Sequence, residues 1–288
     1  MIRIRRPRRP HRTAPAAPAA RPVRAAGAAG AAAFAAAVAL TAGCDAVPDP
    51  ADDPPSDSAP ADPAPADPAP ADPAPGGAAS PLDNPDGTAP GLAPLTSAPD
   101  REAALRVIDR LATRDSGPHP GYERDEFGYA WMDTASGVPL AGNGCDTRND
   151  LLRRDGRDVR LRSGDDCVVE AMDLSDPYAG RDIDFERGPS SSMEVQIDHV
   201  VPLSYAWRMG AARWPEDERE KFANDPLNLL AVDGDANAAK GDSGPAAWLP
   251  QNRRVRCAYG VRFAQVALKY ELPVTAADKD AMRRRCRN

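Results

Sequence analysis

The sequence predicts an α+β domain, mostly helical with short strands, standing behind a long extended segment. Three observations carry this. Residues 101–112 and 254–270 repeat apolar side chains three and four apart, the spacing of one helix face. Runs at 165–174 and 193–201 are rich in Val and Ile, which favour extended chain. Residues 45–99 hold almost nothing that could fill a core, whereas the roughly 190 residues that follow suffice for one domain.

Residues 1–44 read as an export signal. Eight arginines lie between Arg3 and Arg24, and an alanine-rich run then leads to Leu40-Thr-Ala-Gly-Cys44. A basic start, an apolar middle and small residues before a cut mark a secretory leader. The ending resembles a lipobox with Cys44 as the lipidated residue, which implies a lipid anchor on the outer membrane face; plain cleavage and secretion is the alternative. The apolar run is short and mostly Ala, a poor membrane span.

Residues 45–99 read as a disordered Pro/Ala/Asp-rich linker, with three consecutive Ala-Asp-Pro-Ala-Pro units from Ala61 to Pro75. Residues 100–288 are then the folded domain. Within it, 101–112 is a helix with Asp100 as its N-cap, and Asp146 to Arg154 is a second helix. Strands follow at 165–174 and 193–201, the latter ended by Pro202. Helices are expected at 214–222, at 235–240 with Gly241 as the stop, and at 254–270.

Charge is divided unevenly. The whole chain carries −7, but residues 100–250 hold 18 Lys/Arg against 30 Asp/Glu, and residues 251–288 hold 10 against 3. An acidic body argues against passive adhesion to nucleic acid. The basic C-terminal run is a candidate source of phosphate contacts.

Apart from Cys44, four cysteines remain: Cys145, Cys167, Cys257 and Cys286. An even count in an exported chain implies two disulfides. Three pairings are possible, and near-neighbour closure gives Cys145–Cys167 with Cys257–Cys286. A zinc site is disfavoured, because there is no Cys-x-x-Cys pair.

The chemistry-bearing stretch is Asp198-His199, followed by Asn228 and then Asn237-Ala-Ala-Lys240. Histidine can take a proton from water near neutral pH. A carboxylate and an amide oxygen can hold a hard cation against a phosphate, and a lysine can meet further phosphate charge. Only three histidines exist, and His11 falls in the leader, so a multi-histidine zinc or nickel site is not available without His119. Successive strand residues point to opposite faces, so convergence of Asp198 and His199 requires the strand to end or kink there.

Residues 194–250 resemble the HNH nucleases, which share a ββα-metal site. The longer run of about Gly121 to Cys286 resembles the secreted actinobacterial HNH-family endonucleases grouped with the C-terminal domain of GmrSD-type restriction enzymes. Phe127-Gly128, Trp131, Asn143-Gly-Cys-Asp-Thr-Arg-Asn-Asp150, Asp176-Pro-Tyr178, the Asp-His pair, Asn224-Asp-Pro-Leu-Asn-Leu-Leu230 and Lys240-Gly-Asp242 carry the likeness. It implies a ββα-metal core inside a larger, mostly helical domain, and a metal-dependent endonuclease acting outside the cell, on DNA before RNA. His199 would be the general base. Asp198 and Asn237 would hold Mg²⁺, with Mn²⁺ or Ca²⁺ as substitutes. Asn228 would orient the base or tie down its loop, and Lys240 would steady phosphate charge. No protein partner is expected.

The bland readings are specific too. Glu194 shares the strand face of Asp198 but reads first as a surface carboxylate. Arg148 and Asp150 fall within the resemblance without a role. Trp131, Trp207, Trp214 and Trp248 read as core rather than as base-stacking platforms. The rival functions are a non-catalytic surface lipoprotein that binds envelope polymer or a partner, and a hydrolase of some other phosphodiester.

Overall fold

In the computed structural model, which describes residues 77–188 and 191–287, the chain is already packed ahead of its first long helix. Cys44, the leader and the linker through residue 76 lie outside the described residues. A short 3-10 helix, Pro81–Asp83, is capped by the Ser80 hydroxyl, which accepts from the Leu82 amide. Leu92 and Leu95 are buried in the main core. The Gly91 amide donates to Asp155 Oδ1 at 2.9 Å, fastening this strap to the body. Gly87 passes so close to the chain at Leu227 that a Cβ there would lie 2.3 Å from its Cα. The linker expected to run to residue 99 therefore gives way to packed chain earlier. Its Pro/Ala-rich composition conceals two leucines that the core uses.

Helix α1 is Ala98–Asp109, and its N-cap is Ser97 rather than Asp100, which sits in the first turn. Helix α2 (Thr147–Asp155) is capped by the Asp146 carboxylate on the Asn149 amide. Then come strands β1 (Gly156–Leu161), β2 (Val169–Ser175) and β3 (Asp182–Glu186), an antiparallel sheet in the order β1-β2-β3. Strand β4 (Val195–His199) pairs antiparallel with β5 (Leu229–Asp233) in a separate two-stranded sheet. Between them lie α3 (Leu203–Met209) and α4 (Glu216–Asn224); after β5 come α5 (Gly234–Lys240), α6 (Arg256–Lys269) and α7 (Ala276–Arg287). Helix α5 is closed by Gly241 at φ 52°, the left-handed conformation that glycine adopts freely.

The β4–β5 sheet lies between two cores. Val195, Ile197, Leu229 and Ala231 join a smaller cluster with α2 and the three-stranded sheet. Leu230 and Val232, pointing the other way, join the main helical core around α6. Pairing stays regular through Asp198–Leu230 and His199–Leu229, and the strand ends at His199.

Disulfides Cys145–Cys167 and Cys257–Cys286 are both formed, the near-neighbour arrangement. The first pins the turn before α2 to the turn before β2, and the second joins α6 to α7. No described helix is long and apolar enough to cross a membrane.

Candidate active site at the end of the two-stranded sheet

Where β4 ends, the surface opens into a cleft of about 500 Å³. Asp198, His199 and Asn237 line it together with Gln196, Trp131, Tyr122, Arg124, Arg148, Ser204 and Asp242. The pleat is not broken to achieve this. Asp198 and His199 keep opposite neighbours, and the cleft crosses the strand end so that both border it.

Asp198 is 4% exposed. Its Oδ1 accepts from Lys240 Nζ at 2.8 Å, and its Oδ2 accepts from the Tyr178 hydroxyl at 2.6 Å. Burial pushes the carboxyl up from its usual range, while the ammonium and then the hydroxyl offset part of that. Tyr178 is held in place by Asp176, whose Oδ1 accepts from the Tyr178 amide at 3.2 Å and from the Asp233 amide at 2.9 Å. The Asp176-Pro-Tyr178 turn thus ties the β2–β3 connection to the start of α5 and aims one phenol at Asp198.

Lys240 is 1% exposed, and its ammonium also donates to the His199 carbonyl at 2.8 Å. It is enclosed between the two residues of the Asp-His pair. Lys240 does not line the cleft, and its ammonium is paired with Asp198 inside the protein.

His199 is 7% exposed, and its Nε2 lies 2.9 Å from the Ala223 carbonyl. A carbonyl only accepts, so Nε2 carries the proton and Nδ1 carries the lone pair. Nδ1 has no partner among the described residues. Burial first, and the charge of Arg124 second, push the imidazole down to about 3. It is therefore neutral at neutral pH. The Trp131 indole lies nearly parallel to it, centroids 6.0 Å apart and planes 12° from parallel. Trp131 holds a left-handed φ of 61°, a conformation that costs roughly 1–2 kcal/mol for an L residue. Such strain persists where surrounding structure over-determines it, and it clusters at functional sites.

Asn228 is wholly buried, and its side chain makes no hydrogen bond to His199 among the described residues. Its Oδ1 accepts from the Val201 amide at 2.9 Å, and its Nδ2 donates to the Val201 and Phe222 carbonyls, each at 3.3 Å. It ties the loop after β4 to the turn of chain that carries Ala223, the partner of His199. Asn237 is half-buried on α5; its Nδ2 donates to Gln196 Oε1 at 2.8 Å, leaving its amide oxygen uncommitted.

These positions show how far the residues present suit a metal. Asp198 keeps a lone pair on each oxygen beyond its two donors, and the Asn237 oxygen is free. Two oxygen donors on one cleft suit a hard cation that retains waters and meets substrate phosphate, the habit of Mg²⁺. They do not suit a closed cage, and no cluster of three or more His, Cys, Asp or Glu occurs among the described residues.

Residues 146–285 match the family model for the C-terminal domain of GmrSD restriction endonucleases. An uncharacterized secreted protein of Arthroderma benhamiae is 38% identical over 186 residues, which cover 64% of this chain and 83% of that protein. The chain belongs to the GmrSD C-terminal domain family. No solved structure matches it. The family points to a nuclease-like function, and a secreted relative together with two disulfides fits export.

Other features of this GmrSD-type domain depart from the sequence reading. The basic run of 251–287 does not line the cleft; Arg124 and Arg148 do. Arg148, in the first turn of α2, donates from Nη2 to the Val195 carbonyl at 3.1 Å. Asp150 lies away from the cleft, accepting from Asn143 at 3.0 Å. Glu194 is exposed ahead of β4 and is absent from the lining. Trp131 belongs to the cleft wall as well as to the smaller core. Trp207, Trp214 and Trp248 pack in or against the main core. Tyr178 and Gln196 had signals, one in the Asp-Pro-Tyr turn and the other two residues before Asp198. Arg124, in a charged loop, had none.

Proposed function

We propose that the chain is a metal-dependent endonuclease of the HNH type, acting outside the cell on nucleic acid, with DNA the first substrate. The observation that carries this is the geometry of His199: it lines the cleft beside Asp198 and Asn237, and the Ala223 carbonyl 2.9 Å from Nε2 leaves the lone pair on Nδ1. That is the arrangement a general base needs. In this reading β4, β5 and α5 form the ββα unit. Water is deprotonated at His199 Nδ1. Trp131 and the Ala223 carbonyl keep the ring from turning, and Asn228 holds the chain that carries that carbonyl. Asp198 and Asn237 would hold Mg²⁺, which would supply Lewis-acid stabilisation of phosphate charge. Lys240 and Tyr178 fix the orientation of Asp198. The resemblance implies a 5′-phosphate and a 3′-hydroxyl as products. The leader and Cys44 place the domain on the outer membrane face or in the medium.

The test is incubation of the purified chain with plasmid DNA, RNA and a simple aryl phosphodiester, with Mg²⁺ and with EDTA. Cleavage of DNA that stops in EDTA is the expected outcome. Undiminished cleavage in EDTA removes the metal from the reading. No cleavage under Mg²⁺, Mn²⁺ or Ca²⁺ leaves a binding module.

A further inference from the structure

A phosphodiester entering this cleft brings negative charge that Lys240 cannot meet. The C-terminal arginines are elsewhere. Two cations remain, and both lack the carboxylate that arginine usually finds in an acidic protein. Neither Arg124 nor Arg148 is in an ion pair among the described residues. The side chain of Arg124, at the start of the 3-10 helix Arg124–Phe127, makes no hydrogen bond within the described residues. Arg148 makes one, to Val195, and its remaining N–H groups are not among the buried unpartnered atoms. Their donors are therefore open to the cleft.

Their positions differ usefully. Arg148 is tied to the first residue of β4. Arg124 stands at the other end, sharing a smaller recess with Trp131, His199 and Ala223. Val195 and His199 are four strand steps apart, roughly 13 Å at about 3.3 Å per residue. A polynucleotide backbone laid along the strand reaches both of its ends.

We propose that Arg124 and Arg148 form a two-point clamp on a polyanionic backbone, Arg124 on the phosphodiester that is cut at His199 and Arg148 on a neighbouring phosphate. Guanidinium groups suit this, since each presents paired donors that match phosphate oxygens. The clamp selects polymers over isolated diesters. It rests on the nuclease reading.

The experiment compares Arg124→Gln and Arg148→Gln with the wild-type full chain on two substrates, plasmid DNA and bis(p-nitrophenyl) phosphate. A binding assay runs beside it: His199→Ala protein with a short DNA duplex in EDTA, titrated across salt. Arg124→Gln is expected to lower kcat/KM at least tenfold on both substrates. Arg148→Gln is expected to lower it at least tenfold on DNA and less than threefold on the small diester. In the His199→Ala background each arginine change should reduce the salt slope by about 1. Arg148→Lys, which keeps charge and a donor for Val195, should recover most of the slope and controls for misfolding. If wild type cuts DNA while both glutamine variants keep its rates and salt slope, the clamp is overturned and the nuclease stands. If Arg148→Gln damages both substrates equally, the second contact point is overturned. If wild type cuts nothing, the nuclease reading falls and the clamp falls with it.

Discussion

Lys240 Nζ lies 2.8 Å from Asp198 Oδ1, with the Lys240 side chain fully enclosed and that of Asp198 5% exposed. Removing one partner of a buried ion pair leaves an uncompensated charge, which destabilises by roughly 3–5 kcal/mol. Lys240→Ala should show that loss in denaturant unfolding. A variant of unchanged stability and raised KM would return Lys240 to the phosphate.

Asn228 serves three backbone groups at once, on Val201 and Phe222. Asn228→Ala strands them in the interior, where an unsatisfied polar group costs about 1–3 kcal/mol. Unfolding should show a loss of that size, and turnover should fall with it, because Ala223 beside Phe222 holds His199. Full stability with abolished turnover would instead give Asn228 a direct chemical role.

The disulfides span sequence separations of 22 and 29 residues. Each loop closure contributes about 3 kcal/mol in the chain-entropy model. Cys257→Ser with Cys286→Ser should lower the unfolding free energy accordingly, and the wild-type exported protein should show no free thiol at these four positions. Alkylation of Cys145 or Cys257 without reductant would contradict the pairing.

If Cys44 carries lipid, wild type partitions with membranes and added protease releases it from intact cells. Cys44→Ala should appear in the medium or stall as precursor. Identical behaviour as free secreted protein would reduce Leu40 to Cys44 to a cleavage site.

Much of the site was legible because its chemistry is local. Asp198, His199 and Asn237 follow in a fixed order around one of only three histidines, and the structure puts all three on one cleft. What sequence could not show was which charges are already neutralised. Lys240 reads as a phosphate contact before a glycine, and only the fold reveals Asp198 against it. Arg124 belongs to the site through folding alone. Among the elements, α1 and α6 announce themselves by period. Strand β5 does not alternate, since it is buried on both faces, and α3 is apolar almost all round. Helix α7 is so charged that its buried positions, Asp278, Ala281, Met282 and Cys286, are easily overlooked. Strand β3 does alternate, Asp-Ile-Asp-Phe-Glu, but in five acid-rich residues that period is faint.

The central claim is that His199 is the base in a phosphodiester hydrolysis. The most direct measurement is the single-turnover rate of plasmid cleavage in Mg²⁺ by wild type and by His199→Ala, with unfolding curves recorded on the same preparations. The account predicts a loss of at least ~10² in rate, the usual contribution of a general base, in a protein that still unfolds cooperatively. A His199→Ala protein that cuts at the wild-type rate would contradict it.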